Sequence, residues 1–268
     1  MSRRRRAGTP RLPSDLERLL RGGVWERNTE GRSSSATYHI RGAHVGNAYL
    51  KIAAPELQDT LEREMRILRW LGGRLPAPEV LHYGEHDGKQ YLLICEMRGR
   101  NLIHPSLLAQ PSELVRRLAE GLQMVHTVDI SECPFDQRLD NKIAEARQRV
   151  EAGLIDEREF EPWWQGRSAS GVYGQVLATR PAGEDLVFTH GDYCLPNILV
   201  DGDRVSGFID LGRAGVADRY QDLALASRSI RHNLGEDRRW VDQFFEQYGI
   251  ARPDEEKVVF YILLDELF

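Results

Sequence analysis

The pattern of apolar and polar positions divides the chain into a strand-rich N-terminal part and a mostly helical remainder. After Pro13, Ser14-Asp15-Leu16-Glu17 has the serine and glutamate spacing of a capping box and predicts a short helix through Leu20. Extended segments around Thr37–Ile40 and Ala48–Ile52, with Gly42 and Gly46-Asn47 as turn material, predict a hairpin. Residues Asp59–Leu71 read as a helix ended by Gly72-Gly73, and Tyr91–Met97 as a mostly apolar strand. Further on, Glu113–His126 is helical by its apolar spacing, and Asn141–Glu151 is read the same way. Three short β-type runs follow, Leu186–Thr189, Ile198–Val200 and Val205–Ile209, the last two joined by the turn Asp201-Gly202-Asp203. The stretch Asp218–Ala226 reads as helix, and helices continue to the end, including Asp254–Leu267. The expected architecture is α+β, with an N-terminal antiparallel sheet lobe, a connection near residues 94–101, a larger mostly helical C-terminal lobe and a ligand-binding cleft at their boundary.

Composition supports a folded protein. At 268 residues, 41% hydrophobic and 29% charged, the chain is long enough to bury a sizeable core. No apolar run approaches the roughly 20 residues needed to cross a bilayer, so no membrane association is expected. Cys95, Cys133 and Cys194 are odd in number and widely spaced, which indicates neither a disulfide framework nor a zinc site and fits a cytoplasmic protein. The net charge of -5 is unevenly spread: residues 1–13 carry five arginines and no acid, 14–150 are balanced at 19 and 19, and 151–268 hold 12 basic and 22 acidic side chains. A C-terminal surplus of acids favours cationic partners and argues against nucleic acid there, although ordinary solubilising charge would give the same count. The arginine run in residues 1–13 reads as a disordered basic tail.

The densest chemistry lies at His190-Gly191-Asp192-Tyr193-Cys194-Leu195-Pro196-Asn197, followed thirteen residues beyond Asn197 by Asp210-Leu211-Gly212. Phosphoryl transfer through a loose transition state asks mainly for positioning and cations. Asn197 and Asp210 offer hard oxygen ligands from opposite arms of a hairpin, suited to magnesium. Asp192, five residues before Asn197, is placed to orient an acceptor hydroxyl and take its proton. Taken singly, these are ordinary loop-cap, turn and N-cap residues; their order on strand, loop, strand and loop is what predicts a phosphotransferase. On a helical wheel, Leu61, Met65, Leu68 and Leu71 share one face with Glu64 inside their arc. A carboxylate there needs a partner, and Lys51 in Tyr49-Leu50-Lys51-Ile52 is the candidate. Upstream, Thr29-Glu30-Gly31-Arg32-Ser33-Ser34-Ser35 offers one glycine and three hydroxyls rather than a GxGxxG cradle, a weak sign of phosphate binding.

These residues resemble the aminoglycoside phosphotransferases, most closely the 3′-phosphotransferases that inactivate kanamycin and neomycin in resistant bacteria. The likeness runs from about Trp25 to Phe268 and is most specific at residues 187–192, 206–219 and 261–268. It implies a protein-kinase-like fold with a nucleotide-binding lobe over 14–97 and a catalytic, aminoglycoside-binding lobe over 98–268. The implied reaction is ATP- and Mg2+-dependent O-phosphorylation, with Asp192 as base, Asn197 and Asp210 on the metal and Lys51 paired to Glu64. Further implied contacts are Tyr49 stacked on adenine, the backbone around Cys95 and Met97 hydrogen-bonded to it, Ser33 over the phosphates and Arg213 near the transferring group. For the cationic substrate the resemblance implies Asp192, the loop around Asp156–Glu161 with Asp156 and Glu157, Arg213, Asp265, Glu266 and the carboxylate of Phe268. One departure stands out. Some relatives carry Glu-Asp or Glu-Glu after the equivalent of Ser229-Ile230, whereas this chain reads Arg231-His232-Asn233, which implies the loss of a substrate-facing carboxylate that bears on its range of aminoglycosides. A small-molecule substrate and a monomeric or weakly dimeric enzyme are expected. A kinase of another small alcohol, or a non-catalytic nucleotide-binding relative, remain the alternatives. A protein kinase is disfavoured because no activation segment ending in an Ala-Pro-Glu-like anchor follows Gly212.

Overall fold

The computed structural model describes residues 10, 12–28, 35–54 and 61–268. The chain divides after Met97 into two compact units.

The N-terminal unit begins with α1 (Ser14–Leu19), β1 (Val24–Asn28), β2 (Ala36–Ala43) and β3 (Gly46–Ala53), followed by α2 (Leu61–Leu71), β4 (Val80–His86) and β5 (Lys89–Cys95). Among the described residues its five strands form an antiparallel sheet in the order β1-β2-β3-β5-β4. Period-two alternation decides which side of this sheet each residue serves. Leu50 and Leu93, paired across β3 and β5, pack with Ile40, Ala48 and Tyr91 against Leu16 of α1 and Leu20 just after it. Lys51 and Leu92, the next pair, face the other way, toward α2, which packs on β3, β4 and β5.

Two local expectations change. Ser14 is itself the first helical residue, with Pro13 before it and no side-chain cap, so the capping box does not form; Asp15 Oδ1 instead accepts from Leu16 N–H at 2.9 Å. In the hairpin, the pair Ala43 and Gly46 closes directly around His44-Val45, with Gly42 inside β2 where the register is irregular. Residues 59 and 60 of the predicted helix, Ser33 and the rest of 29–34, and 1–9 and 11 of the basic tail lie outside the described residues.

The C-terminal unit contains β6 (Arg100–Asn101), α3 (Pro105–Leu108), α4 (Pro111–His126), α5 (Leu139–Glu151), α6 (Ala169–Ala178), β7 (Leu186–Thr189), β8 (Ile198–Asp201), β9 (Arg204–Phe208), β10 (Gly215–Asp218), α7 (Tyr220–Leu234), α8 (Arg238–Tyr248) and α9 (Glu255–Asp265). Its apolar core is helical: Leu114, Leu118 and Leu122 of α4, Leu223 and Ile230 of α7, Phe244 of α8, and Val258 and Ile262 of α9 are all buried. Two small antiparallel sheets lie in this unit, β10-β7 and β6-β8-β9. Asp218 ends β10 rather than opening a helix, and α7 starts at Tyr220. Asp254 caps α9, its carboxylate accepting from Lys257 N–H at 3.0 Å. No helix among the described residues is long and apolar enough to cross a membrane.

Candidate active site

The loop from His190 to Asn197 leaves β7 and is held from beneath by one buried carboxylate. Asp222, in the first turn of α7 and fully buried, accepts from His190 N–H at 2.6 Å and from Gly191 N–H at 2.9 Å. The His190 ring is also buried; Asp192 N–H donates to its Nδ1 at 3.3 Å, so Nε2 carries the proton and donates to Ile209 O at 3.0 Å. Leu195 N–H donates to Ser229 Oγ at 3.0 Å. These bonds satisfy four of the loop's backbone donors, each of which would otherwise cost about 1–3 kcal/mol if left buried and unpaired. Asp222 was open to the reasoning that singled out Glu64: it is an acid leading into the apolar run Leu223–Ala226.

Within this frame Asn197 donates through Nδ2 to the Asp192 carbonyl at 2.9 Å and to Asp192 Oδ2 at 3.0 Å. Both contacts use the amide nitrogen, which assigns the amide orientation and leaves Asn197 Oδ1 as an oxygen ligand. The β8–β9 hairpin then carries Asp210 to the same end: Ile198 pairs with Phe208, and Ile209 N–H donates to Asn197 O at 3.0 Å. Asp210 is exposed and has left-handed backbone angles, φ 59° and ψ 50°. Such a conformation in a residue other than glycine stores strain of the kind that clusters at functional sites. Gly191, at φ 85°, lies directly against the turn after Asp210; a Cβ there would come within 2.2 Å of Arg213 O.

A divalent cation fits this donor set. Asn197 and Asp210 offer one neutral and one charged hard oxygen at one end of one hairpin, donors of the kind a magnesium ion would take. Among the described residues no group of three or more His, Cys, Asp or Glu side chains is arranged as a complete metal cage.

Cys194, inside the same loop, is not an activated nucleophile. Burial pushes its thiol well above the usual range, and the carboxylates of Asp192 and Asp210 push in the same direction.

In the N-terminal unit, Lys51 Nζ meets Glu64 Oε1 at 2.7 Å and Oε2 at 2.9 Å, with the side chains 11% and 7% exposed. The carboxylate on the apolar face of α2 therefore has the partner its position demands. Tyr49 is half-buried and stacks on His39, with centroids 4.6 Å apart and planes 10° from parallel. His39 Nε2 lies 2.7 Å from Glu96 Oε1. The Cys95 N–H is already used, donating to Glu79 O at 2.9 Å, and Glu96 N–H donates to Asn47 O at 3.1 Å. Among the described residues nothing accepts from Met97 N–H.

The acidic rim residues have uneven surroundings. Asp265 lies between two guanidinium groups, 3.1 Å from Arg213 Nη1 and 2.6 Å from Arg228 Nη2. Burial alone would push its carboxyl up, but Arg228, Arg213 and Lys142 together hold it below the ordinary range. Glu266 accepts from Glu161 N–H through Oε2 at 3.0 Å, while Oε1 is buried without a partner among the described residues. Burial pushes Glu266 up to about 7, against the lowering effect of that N–H and of Arg228. The Phe268 ring is bordered by three cations, with Lys142 Nζ at 4.1 Å and the Arg149 and Arg213 guanidinium groups at 5.6 Å. Asp156 and Glu157 have local partners. Arg158 holds the Asp156 carboxyl down at about 2, and Glu157 Oε1 accepts from Ala169 N–H, at the start of α6, at 2.7 Å. His232 is exposed, and Asn233 donates back to Ser229 O at 2.8 Å. Arg228 and Lys142, which tie the rim together, carry no local sequence signal that separates them from other helical cations.

Comparison with known proteins gives one consistent result. The profile of a phosphotransferase enzyme family matches residues 24–261. An aminoglycoside 3′-phosphotransferase of Niallia circulans is 43% identical over 260 residues, covering 97% of this chain and 98% of the relative. Among solved structures, a type VIII aminoglycoside 3′-phosphotransferase is 32% identical with a TM-score of 0.84, covering 95% of this chain and 98% of that one. Aminoglycoside phosphotransferase APH(3″)-Id from Streptomyces rimosus, in complex with ADP and streptomycin, is 29% identical with a TM-score of 0.76, covering 94% and 97%.

Proposed function

The chain belongs to the aminoglycoside 3′-phosphotransferases, and we propose that it transfers the γ-phosphoryl group of ATP to the 3′-hydroxyl of kanamycin- and neomycin-type aminoglycosides, conferring resistance to them. The observation that carries this reading is the lock between Asn197 Nδ2 and Asp192. It holds one carboxylate oxygen of Asp192 and leaves the other for an acceptor hydroxyl, while turning Asn197 Oδ1 toward a ligand role. Three free cysteines suit a reducing cytoplasm.

In this reading residues 14–97 bind the nucleotide. Lys51, aligned by Glu64, holds the α- and β-phosphates; Tyr49 stacks on adenine; the free Met97 N–H and the backbone near Cys95 hydrogen-bond its edge. Residues 98–268 carry the chemistry and the acceptor. Asp192 orients the 3′-hydroxyl and takes its proton as the new O–P bond forms. Asn197 Oδ1 and the Asp210 carboxylate hold magnesium, which when bound neutralises charge on the phosphate oxygens. Arg213 steadies the transferring group. Asp156, Glu157, Asp265 and Glu266 receive the substrate's ammonium groups, each as a charge-assisted hydrogen bond.

ADP release measured over a panel of aminoglycosides tests the reaction and its position together. Substrates with a 3′-hydroxyl are expected to drive turnover and 3′-deoxy analogues are not; equal rates on both would overturn the assigned position.

The raised Glu266 carboxyl adds a pH dependence. It ionises as pH rises through about 7, so KM for the aminoglycoside is expected to fall between pH 6 and 8 in the wild type and to lose that component in Glu266→Gln. Stability runs the other way. Between its ordinary 4.5 and about 7 the folded chain keeps a proton that the unfolded chain has released, so this group's contribution falls as pH rises through that window. A wild-type KM profile that matches Glu266→Gln would exclude Glu266 from substrate binding.

A further inference from the structure

We propose that His126 is a positioning residue for the catalytic loop, acting through Asp222 as the middle member of a one-directional hydrogen-bond relay. The proposal rests on the phosphotransfer reading above, because it takes the His190–Asn197 loop as the seat of the chemistry.

Proton counting gives the relay its direction. Arg219 is fixed by Asp185, its Nε and Nη2 donating to the two carboxylate oxygens at 2.6 and 3.1 Å. Its Nη1 donates to Tyr248 Oη at 2.9 Å. Arginine has no acceptor, so the single hydroxyl proton of Tyr248 is free to go to His126 Nδ1, 2.7 Å away. With Nδ1 accepting, the ring proton resides on Nε2 and is donated to Asp222 Oδ2 at 3.3 Å. Asp222 then accepts three times, from His126, His190 N–H and Gly191 N–H, and donates to none. The His126 side chain is 4% exposed and that of Asp222 is fully buried, so water does not replace a missing member easily.

The relay ties together parts of the chain that are distant in sequence: the C-terminal ends of α4 and α8, the start of α7 and the catalytic loop. The backbone of α8 is held at the same place, where Gln123 Nε2 donates to Gln247 O and Tyr248 O at 3.2 and 3.1 Å. Without the His126 proton, Asp222 Oδ2 keeps only the His190 contact and can rotate, and with it the two backbone N–H groups that set the height of Asp192. A small misplacement of a catalytic group is enough to reduce turnover by about a hundredfold.

Two substitutions separate positioning from packing. His126→Gln carries an amide N–H to the level of Nε2 and keeps a donor for Asp222; His126→Asn reaches only the level of Nδ1 and keeps the Tyr248 contact alone. Measured as kcat per folded site, His126→Asn is expected to lose about a hundredfold, with KM for ATP and for aminoglycoside unchanged. His126→Gln is expected to recover most of that loss. Equal kcat in the two variants would overturn the proposal, whatever their melting temperatures. A second measurement needs no variant: the ring nitrogens of His126 in the wild type, observed by NMR, are expected to show the Nε2–H tautomer, and the Nδ1–H tautomer would reverse the relay and overturn it. This measurement stands even if no aminoglycoside drives ADP release, an outcome that would instead remove the phosphotransfer reading.

Discussion

Asp192→Asn is expected to lower turnover by about 10²- to 10⁴-fold, the range attributable to a positioned general base, with ATP affinity close to wild type. The choice of asparagine matters. In the native loop Asp192 Oδ2 accepts from Asn197 Nδ2, and an asparagine at 192 still offers a carbonyl oxygen to that donor. Its other terminus is an NH2 group, which cannot take a proton from the acceptor hydroxyl. Alanine would also take away one of the two acceptors of Asn197 Nδ2, leaving only the Asp192 backbone carbonyl, and so loosen a proposed metal ligand together with the base. ADP release with kanamycin gives the turnover, and calorimetric titration with a non-hydrolysable nucleotide gives the affinity. Near-wild-type turnover in Asp192→Asn would remove Asp192 as the base.

Gly191→Ala is expected to be damaging to both stability and activity. At φ 85° an alanine costs about 1–2 kcal/mol in backbone strain. Its Cβ would also approach Arg213 O at 2.2 Å, Arg213 C at 2.5 Å and Arg213 Cβ at 2.8 Å. Backbone atoms cannot swing aside as a side-chain tip does, so the loop and the turn after Asp210 must separate, at a further cost of about 1–3 kcal/mol. For a protein of this size the melting temperature should fall by about 5–15 °C, with turnover down by about a hundredfold through displacement of Asp192 relative to Asp210. Gly202→Ala is the control, because Gly202 has φ 61° and nothing within 4 Å of its Cβ position. Its change reports backbone strain alone. Equal effects from the two substitutions would show that the contact with Arg213 is unimportant.

The legible parts of this fold are those where a short-range period meets a chemical oddity. Glu64 lies inside the apolar arc of a helix, and its 2.7 Å contact with Lys51 follows from period 3.6 on α2 and period 2 on β3. The β8–β9 hairpin is equally local, since turn chemistry at Asp201-Gly202-Asp203 fixes the register that brings Asn197 and Asp210 to one end. Elements without such contrast are harder to read. β1 alternates weakly, with only Trp25 partly buried, and α6 is apolar on most sides, so neither shows a clear period. Ser14 has the sequence of a cap, but helical backbone starts at that residue itself. The acids at 156–157 stand out by composition, yet their partners, Arg158 and Ala169 N–H, are set by how the loop turns. Arg228, Glu161 and Glu266 meet only because α7, the 156–161 loop and the end of α9 converge, which no spacing along the chain encodes. His126 and Tyr248 are separated by 122 positions for the same reason.

The half-buried Cys194 has a consequence for inhibitor chemistry. It sits between the proposed base and a proposed metal ligand, the obvious place to aim a covalent warhead. Its thiol stays protonated at neutral pH, however, because burial and two neighbouring carboxylates oppose the thiolate. Alkylating agents and peroxides act on thiolates, so Cys194 is a poor anchor for a covalent inhibitor, and the loop is expected to react slowly with alkylating agents without having to give up its cysteine.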